Sequence, residues 1–452
     1  MTAQTLTAAL ERARARLPGG DAAAARRNAA LRAFTEAGLP TTRAESWRYT
    51  DLSRLDVAAF DWLPPTPDND ALRRAGERLA AAELASGRPP QARLVFVDGH
   101  YVASLSRPGS AADATIGTLG ERWSAWNALD ADADDADDRA PTGNGRGKTA
   151  SERPLVDLNT AFAGDGAWLA LPAGRSLDSP VEIVFVGSGA AKLAPQPRIA
   201  IELGAEAKLE LVVQFVDCGA PGAWLNLVTD VTLGPGAKLD LLRIQEHGPD
   251  ETHTEVLRAR LDRDASLAAG YVDLGGRLVR NDIDVELAAP GAFAEIFGVL
   301  TAAGGSHVDD HVRVDHAAPA TRSDEFFRGI IGHRGRGVFN GKVVVRPGAQ
   351  KIDAQQSNDN LLLSDQAEID TRPVLEIYAD DVKCSHGSTV GELDPEHLFY
   401  MRARGIDESD ARALLTVAFA ATALERIADA ELRAAVEARV NARLAALTGE
   451  PR

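Results

Sequence analysis

A weak internal repeat runs through this chain, seen in two stretches identical at six of nine positions: Leu203-Gly204-Ala205-Glu206-Ala207-Lys208-Leu209-Glu210-Leu211 and Leu233-Gly234-Pro235-Gly236-Ala237-Lys238-Leu239-Asp240-Leu241. Corners of the same kind recur at Asp264-Ala265-Ser266-Leu267, Pro290-Gly291-Ala292-Phe293 and Pro347-Gly348-Ala349-Gln350. Alanines 207, 237, 265 and 292 stand 30, 28 and 27 positions apart, and 349 follows 57 later, the length of two repeats. A period near 28 made of strands, with no helix between them, points to a β-solenoid. No single coil can bury its own inner face, so the coils must stack. A β-sandwich with repeated glycine turns is the alternative. A leucine-rich repeat would need an asparagine ladder that is missing here.

Helical sequence flanks this core. Ala8 to Leu17, Ala22 to Ala37 and Asp70 to Ser86 read as helices, and Arg93 to Val102 reads as a hairpin turning at Asp98-Gly99. Asp130 to Gly147 is low in complexity, with six Asp between 130 and 138, and reads as a flexible linker. Beyond Gly391, Pro395 to Arg404 and Ser409 to Ala428 are helical, followed by an apolar stripe at Leu432, Val436, Val440, Leu444 and Leu447. The expected organisation is a mostly helical region with a hairpin (1–130), a linker (131–152), a parallel β-helix core (153–391) and a C-terminal helical domain (392–452). The stripe suits the interior of a small helical bundle, and Leu432, Val436 and Val440 also suit a docking face for a partner.

Composition narrows the function. Lys+Arg 49 against Asp+Glu 66 gives a net charge of -17, which disfavours nucleic acid. No apolar run is long enough to cross a bilayer, and the start has no apolar signal core, so a cytoplasmic protein is expected. Cys218 and Cys384 are the only cysteines, too few for a disulfide framework, a CxxC metal ribbon or a four-thiolate cluster in one chain. Thr142 to Thr149 reads TGNGRGKT, but no apolar strand precedes it and no amphipathic helix follows, so it is not a phosphate loop.

Two constellations could carry chemistry. In Asp380-Asp381-Val382-Lys383-Cys384-Ser385-His386-Gly387, Cys384 and His386 are two apart and so share one face of a strand. The pair is either structural or a metal half-site, with Lys383 favouring the thiolate and burial opposing it. In His307-Val308-Asp309-Asp310-His311-Val312-Arg313-Val314-Asp315-His316, alternation puts His307, Asp309, His311, Arg313 and Asp315 on one face. That face reads as the solvated outside of a solenoid strand; a metal site is the other reading. No Gly-x-Ser-x-Gly elbow or Ser–His–Asp order supports a hydrolase.

Three ordered strings resemble the SufB/SufD family of iron–sulfur cluster assembly scaffolds: Gly337-Val338-Phe339-Asn340-Gly341-Lys342, Ala354-Gln355-Gln356-Ser357-Asn358-Asp359-Asn360-Leu361-Leu362-Leu363-Ser364 and Pro373-Val374-Leu375-Glu376-Ile377. Ala379 to Gly387 and the tail Phe399 to Ile406 extend the resemblance to about Ala420. Asn340 and Ser388 depart mildly, where the family pattern has a longer amide and an alanine. Gly38-Leu39-Pro40-Thr41, Glu45 to Thr50 and Ala411 to Phe419 resemble the SufD branch more than the SufB branch.

The resemblance implies a mainly β fold: a right-handed parallel β-helix between N- and C-terminal α-helical regions. It implies a non-enzymatic scaffold that works with a SufB-like chain and a SufC-like ATPase, the latter docked on the C-terminal helices. It places a transient cluster at the SufB seam, with His386 as candidate ligand or proton handler, alongside Cys384, facing a partner cysteine. No cofactor is expected in the isolated chain; reduced flavin is implied for the complex, with no residue here to place it. Edge strands near Lys342 to Tyr378 also suit a homodimer when SufB is absent. The other function classes are a stand-alone metal-binding protein using the His307 to His316 strand and a small-molecule enzyme on a β-solenoid, which the 5% aromatic content disfavours.

Overall fold

The computed structural model describes residues 3–449 except 54, 85–87, 110–113, 121–122, 124–152 and 217–221. Cys218, the acidic linker and the TGNGRGKT string therefore lie outside the described residues.

The chain is a parallel β-solenoid with helices at both ends. Helices α1 (Ala3–Ala13), α2 (Gly20–Ala37) and α3 (Asn69–Ala81) precede strands β1 (Ala92–Val97), β2 (His100–Tyr101) and β3 (Thr115–Thr118). Helix α4 (Pro154–Phe162) then leads into eight coils of two strands each. These are β4 (Gly166–Leu171), β5 (Val181–Val186), β6 (Arg198–Leu203), β7 (Lys208–Val216), β8 (Trp224–Leu233), β9 (Lys238–Glu246), β10 (Thr252–Leu261), β11 (Ser266–Asp273), β12 (Leu278–Leu287), β13 (Phe293–Ala302), β14 (His307–His316), β15 (Arg322–Ile331), β16 (Arg336–Val345), β17 (Ile352–Leu362), β18 (Glu368–Ile377) and β19 (Val382–Gly391). Helices α5 (Pro395–Arg402), α6 (Glu408–Leu424) and α7 (Ala430–Gly449) close the chain.

From β4 onward, even-numbered strands stack into one sheet and odd-numbered strands into the other, each pairing in parallel with the strand one coil away. The corners explain the repeat. Glu206, Gly236, Asp264, Gly291 and Gly348 adopt positive φ, and the alanine after each is buried at 0–1% exposure. A left-handed residue turns the chain, and the next side chain must be small enough to sit under the corner. The 57-residue interval hides a coil that obeys the same rule with other residues: Ala320 takes the left-handed position (φ 57) and buried Thr321 fills the alanine slot.

Inward residues alternate with outward ones, and rings align in columns. Phe96, Phe185 and Phe215 stack at 5.2 and 5.3 Å between centroids. Phe96 belongs to the expected hairpin, whose Asp98 and Gly99 turn with positive φ. That hairpin is part of the solenoid: β1 pairs in parallel with β5, and β3 pairs antiparallel with β4. The N-terminal end of both sheets is thereby covered, whereas β18 and β19 have no strand beyond them among the described residues.

Helices coat the outside. Helix α4, with Leu155, Leu158 and Phe162 buried, packs with Trp62 and Trp224 against the even sheet. Helices α6 and α7 fold back over the odd sheet, where Val436 and Val440 join Leu242, Ile244, Val272 and Val299 in one cluster. Both valines are fully buried, and Leu432 packs against the same cluster. The stripe is thus interior in this fold, and these three side chains do not present a docking face. The exposed apolar side chains of this region are Phe399 (74%), Tyr400 (60%) and Leu414 (52%).

The His307 to His316 strand, β14, is also not a solvated face. The segment around the 3₁₀ turn Glu45–Trp47 lies over it, and Asp309 is buried at 0% exposure. Thr50 Oγ1 pairs with His307 Nε2 at 2.7 Å and donates to Asp309. Alternation identifies which residues share a face, but only the path of the N-terminal chain decides what covers it.

Candidate functional site

Strand β19 carries the Cys-x-His pair at the open end. Its inward column is Val382, Cys384, His386 and Ser388, in register with Ile352, Ala354, Gln356 and Asn358 of β17. Cys384 is half-buried, packed against the cluster of Val343, Val345, Ala349, Ile352 and Ala354. His386 is exposed, because the solenoid ends there and no further coil covers it. Lys383 sits on the opposite, outward face and is exposed. The two influences on the thiol therefore resolve in favour of burial. Desolvation, with Asp353 nearby, raises the Cys384 pKa above its ordinary value against a backbone hydrogen bond from Ala354. Burial therefore favours the neutral thiol of Cys384, and a bound metal ion would act in the opposite sense.

Behind this pair the last coils are polar inside. Asn358 and Asn360 exchange amide hydrogen bonds at 3.2 and 2.7 Å, Thr371 Oγ1 donates to Asn358 at 2.8 Å, and Asn360 donates to the Thr389 carbonyl at 3.0 Å. One column deserves separate mention for its depth: Glu325 of β15, Gln356 of β17 and His386 of β19 are successive partners in the ladder. Gln356 stood in a string singled out by sequence, but its inward direction was not readable there. Glu325 gave no signal at all, since Ser323-Asp324-Glu325-Phe326 offers no clean alternation.

Among the described residues, no group of three or more His, Cys, Asp and Glu side chains is arranged to hold a metal ion. The histidines of β14 do not form one either. His307 and His311 face outward and bond Thr50 and Asp309, while His316 faces inward between Thr321 Oγ1 at 2.8 Å and Ser323 Oγ at 3.0 Å. A cleft of about 520 Å³ between the Glu45–Trp47 turn and the outer face of β12, β14, β16 and β18 is lined by paired charges. Lys342 bonds Glu376 at 2.8 Å, Arg313 bonds Asp284 at 3.0 Å, and Arg372 bonds Glu45.

Residues 185–419, more than half of the chain, match the family model described as "SUF system FeS cluster assembly, SufBD core domain". The chain belongs to the SufBD family. It is 30% identical over 420 residues to the iron-sulfur cluster assembly protein SufD of Escherichia coli, covering 92% of this chain and 91% of that one. It is 29% identical over 416 residues to an iron-sulfur cluster assembly SufBD family protein of Synechocystis, covering 90% and 87%. The SufD of Bacillus subtilis is 26% identical over 286 residues, covering 62% and 64%. The matched span of the family model runs from β5 to α6 and so includes the Cys384–His386 strand and both open sheet edges. This is an iron–sulfur cluster assembly protein. Among the described residues, no helix is long and apolar enough to cross a membrane.

Proposed function

We propose that this chain is the scaffold subunit of a SUF complex of the SufB–SufC–SufD type. A SufB-like chain pairs with the open end of the solenoid, and a SufC-like ATPase docks on the C-terminal helices and supplies ATP hydrolysis. The nascent cluster is the cargo of the complex, built at the seam between the two solenoids within reach of His386 and Cys384. The chain performs no turnover of its own and holds no cofactor alone. Reduced flavin, where it enters, belongs to the complex. The complex works in the cytoplasm.

The observation that carries this reading is the coincidence of two features at one end. Both sheets terminate in ten-residue strands, β18 and β19, whose outer edges have no partner among the described residues, and the ligand-bearing column opens between them. Unpaired backbone N–H and C=O groups along such edges are templates for another chain. Two ligands need a second source of ligands to complete a cluster. Without a SufB-like chain, the same edges favour a second copy of this one.

The test is co-expression of His386→Ala with its SufB- and SufC-type partners. The expected outcome is an intact complex by size exclusion that has lost cluster-associated iron, sulfide and visible absorbance. A variant complex that assembles clusters at the wild-type level overturns the role of His386.

A further inference from the structure

Glu325 and Gln356 lie on the two rungs behind His386 and are bonded to each other. The three residues occupy consecutive rungs of one inward column, about 5 Å apart from strand to strand. Gln356 Nε2 donates to Glu325 Oε2 at 2.6 Å. Glu325 is 0% and Gln356 3% exposed, so the bond is sheltered from water. In this arrangement the amide nitrogen is held by Glu325, and the carbonyl Oε1 is the atom left over. That oxygen is buried and has no hydrogen-bond partner among the described residues, and neither has Glu325 Oε1. Every other inward amide of this strand differs: Asn358 and Asn360 bond one another, Thr371 and the Thr389 carbonyl.

A buried carbonyl oxygen without a donor costs free energy, so its presence demands an explanation. The next rung of the column supplies one, because it is an imidazole. The room for the pair is itself built in. At Gly341 of β16, an added Cβ would lie 2.0 Å from Gln356 Nε2 and 2.8 Å from Glu325 Oε2. Any side chain there would push the amide off its carboxyl.

We infer that the exposed His386 ring, which does not bond Gln356 in this structure, swings inward to donate its N–H to Gln356 Oε1, so that the Glu325–Gln356 pair fixes the imidazole's tautomer and turns its lone-pair nitrogen out through the mouth of the solenoid. Outer partners of this kind commonly orient histidines that bind metals or move protons. Gln356 and Glu325 act through His386 and touch no cargo. The assignment rests on the reading of His386 given above only in what the oriented nitrogen is for. Its test uses the isolated full chain with no iron and no partner, so the two fail separately.

The measurement is long-range ¹H–¹⁵N correlation on ring-¹⁵N-histidine protein, at a pH where imidazole is neutral, with His386 assigned by its loss in His386→Gln. The wild type is expected to hold one tautomer of His386 in roughly fivefold excess over the solution ratio, the scale of one neutral hydrogen bond. Gln356→Leu and Glu325→Leu are expected to return it to the solution ratio, and Glu325→Gln, which keeps an acceptor for the amide, to preserve the excess. Gly341→Ala should lose the excess by displacing the amide, which covers the case of a leucine variant that does not fold. A solution-like ratio in the wild type, or an excess that survives Glu325→Leu, Gln356→Leu or Gly341→Ala in folded protein, overturns the inference.

Discussion

The guanidinium carbon of Arg280 lies 4.2 Å from the ring centre of Trp47, joining the outer face of the even sheet to the N-terminal segment. The same side chain donates to the Ser46 carbonyl at 3.0 Å, to Asp282 at 2.6 Å and to Asp309 at 2.6 Å. Arg280 and Asp309 are both buried, and without Arg280 the Asp309 carboxylate would keep only Thr50 and His311 as partners.

Arg280→Ala should therefore destabilise the protein by about 3–5 kcal/mol, the cost of breaking a buried pair on one side. The check is the urea midpoint at neutral pH, with intrinsic fluorescence reporting the release of Trp47. A loss within about 0.5 kcal/mol, the range of ordinary surface substitutions, would mean that the segment is not held by this pair.

Val436→Asp should cost more than about 3 kcal/mol, because it buries a charge in an apolar cluster between α7 and the odd sheet. The exposed Phe399 and Tyr400, replaced by alanine, should leave the thermal midpoint almost unchanged. In a pull-down, loss of the SufC-type ATPase on Phe399→Ala/Tyr400→Ala, with stability retained, would place docking on α5 and not on the buried stripe. Retention of binding would exclude α5.

Acid should weaken the fold through His316. Burial outweighs the pull of Asp315 and lowers its pKa from 6.5 to about 4. Between those values the unfolded chain binds the proton and the folded chain does not. The stabilisation is thus present above pH 6.5 and is lost as the pH falls toward 4. His316→Asn should flatten that limb of the urea-midpoint profile. A profile identical to wild type would show that His316 does not set it.

Alkali should act through Glu325 in the opposite sense. Burial, with Asp324 adding to it, raises the carboxyl from 4.5 to about 8 despite the Gln356 amide. The folded chain holds this proton where the unfolded chain has released it, so the stabilisation is full below pH 4.5 and is lost as the pH rises through 8. Glu325→Gln should gain stability relative to wild type on going from pH 6 to pH 9, by on the order of 2 kcal/mol. No relative gain would mean that the carboxyl is already ionised in the fold.

Val390, 48% exposed on the β19 edge, should be silent for monomer stability but decisive for association. Val390→Lys places a charge where a second strand would approach. Light scattering of the isolated chain should show a dimer in the wild type shifted toward monomer in the variant. An unchanged mass at matched concentration would move the association surface elsewhere.

Much of the architecture was legible in the amino-acid order because solenoid corners are local. A left-handed residue followed by a small one, at Gly236-Ala237 or Gly291-Ala292, is demanded by the turn itself, and so it recurs in the text of the chain. The coil at Ala320-Thr321 escaped only because other residues met the same demand. The Cys384–His386 pair was legible for a similar reason, since two positions along a strand always share a face. Tertiary structure alone decided what lies opposite each face. Trp47 and Thr50 come from some 230 to 260 positions away to cover β12 and β14, α7 folds back to bury Val436, and three coils bring Glu325, Gln356 and His386 into one column. Periodicity records which way a side chain points relative to its neighbours in sequence; whether that direction meets water, a helix or another coil is set by contacts between distant segments, and those are fixed only when the whole chain has folded.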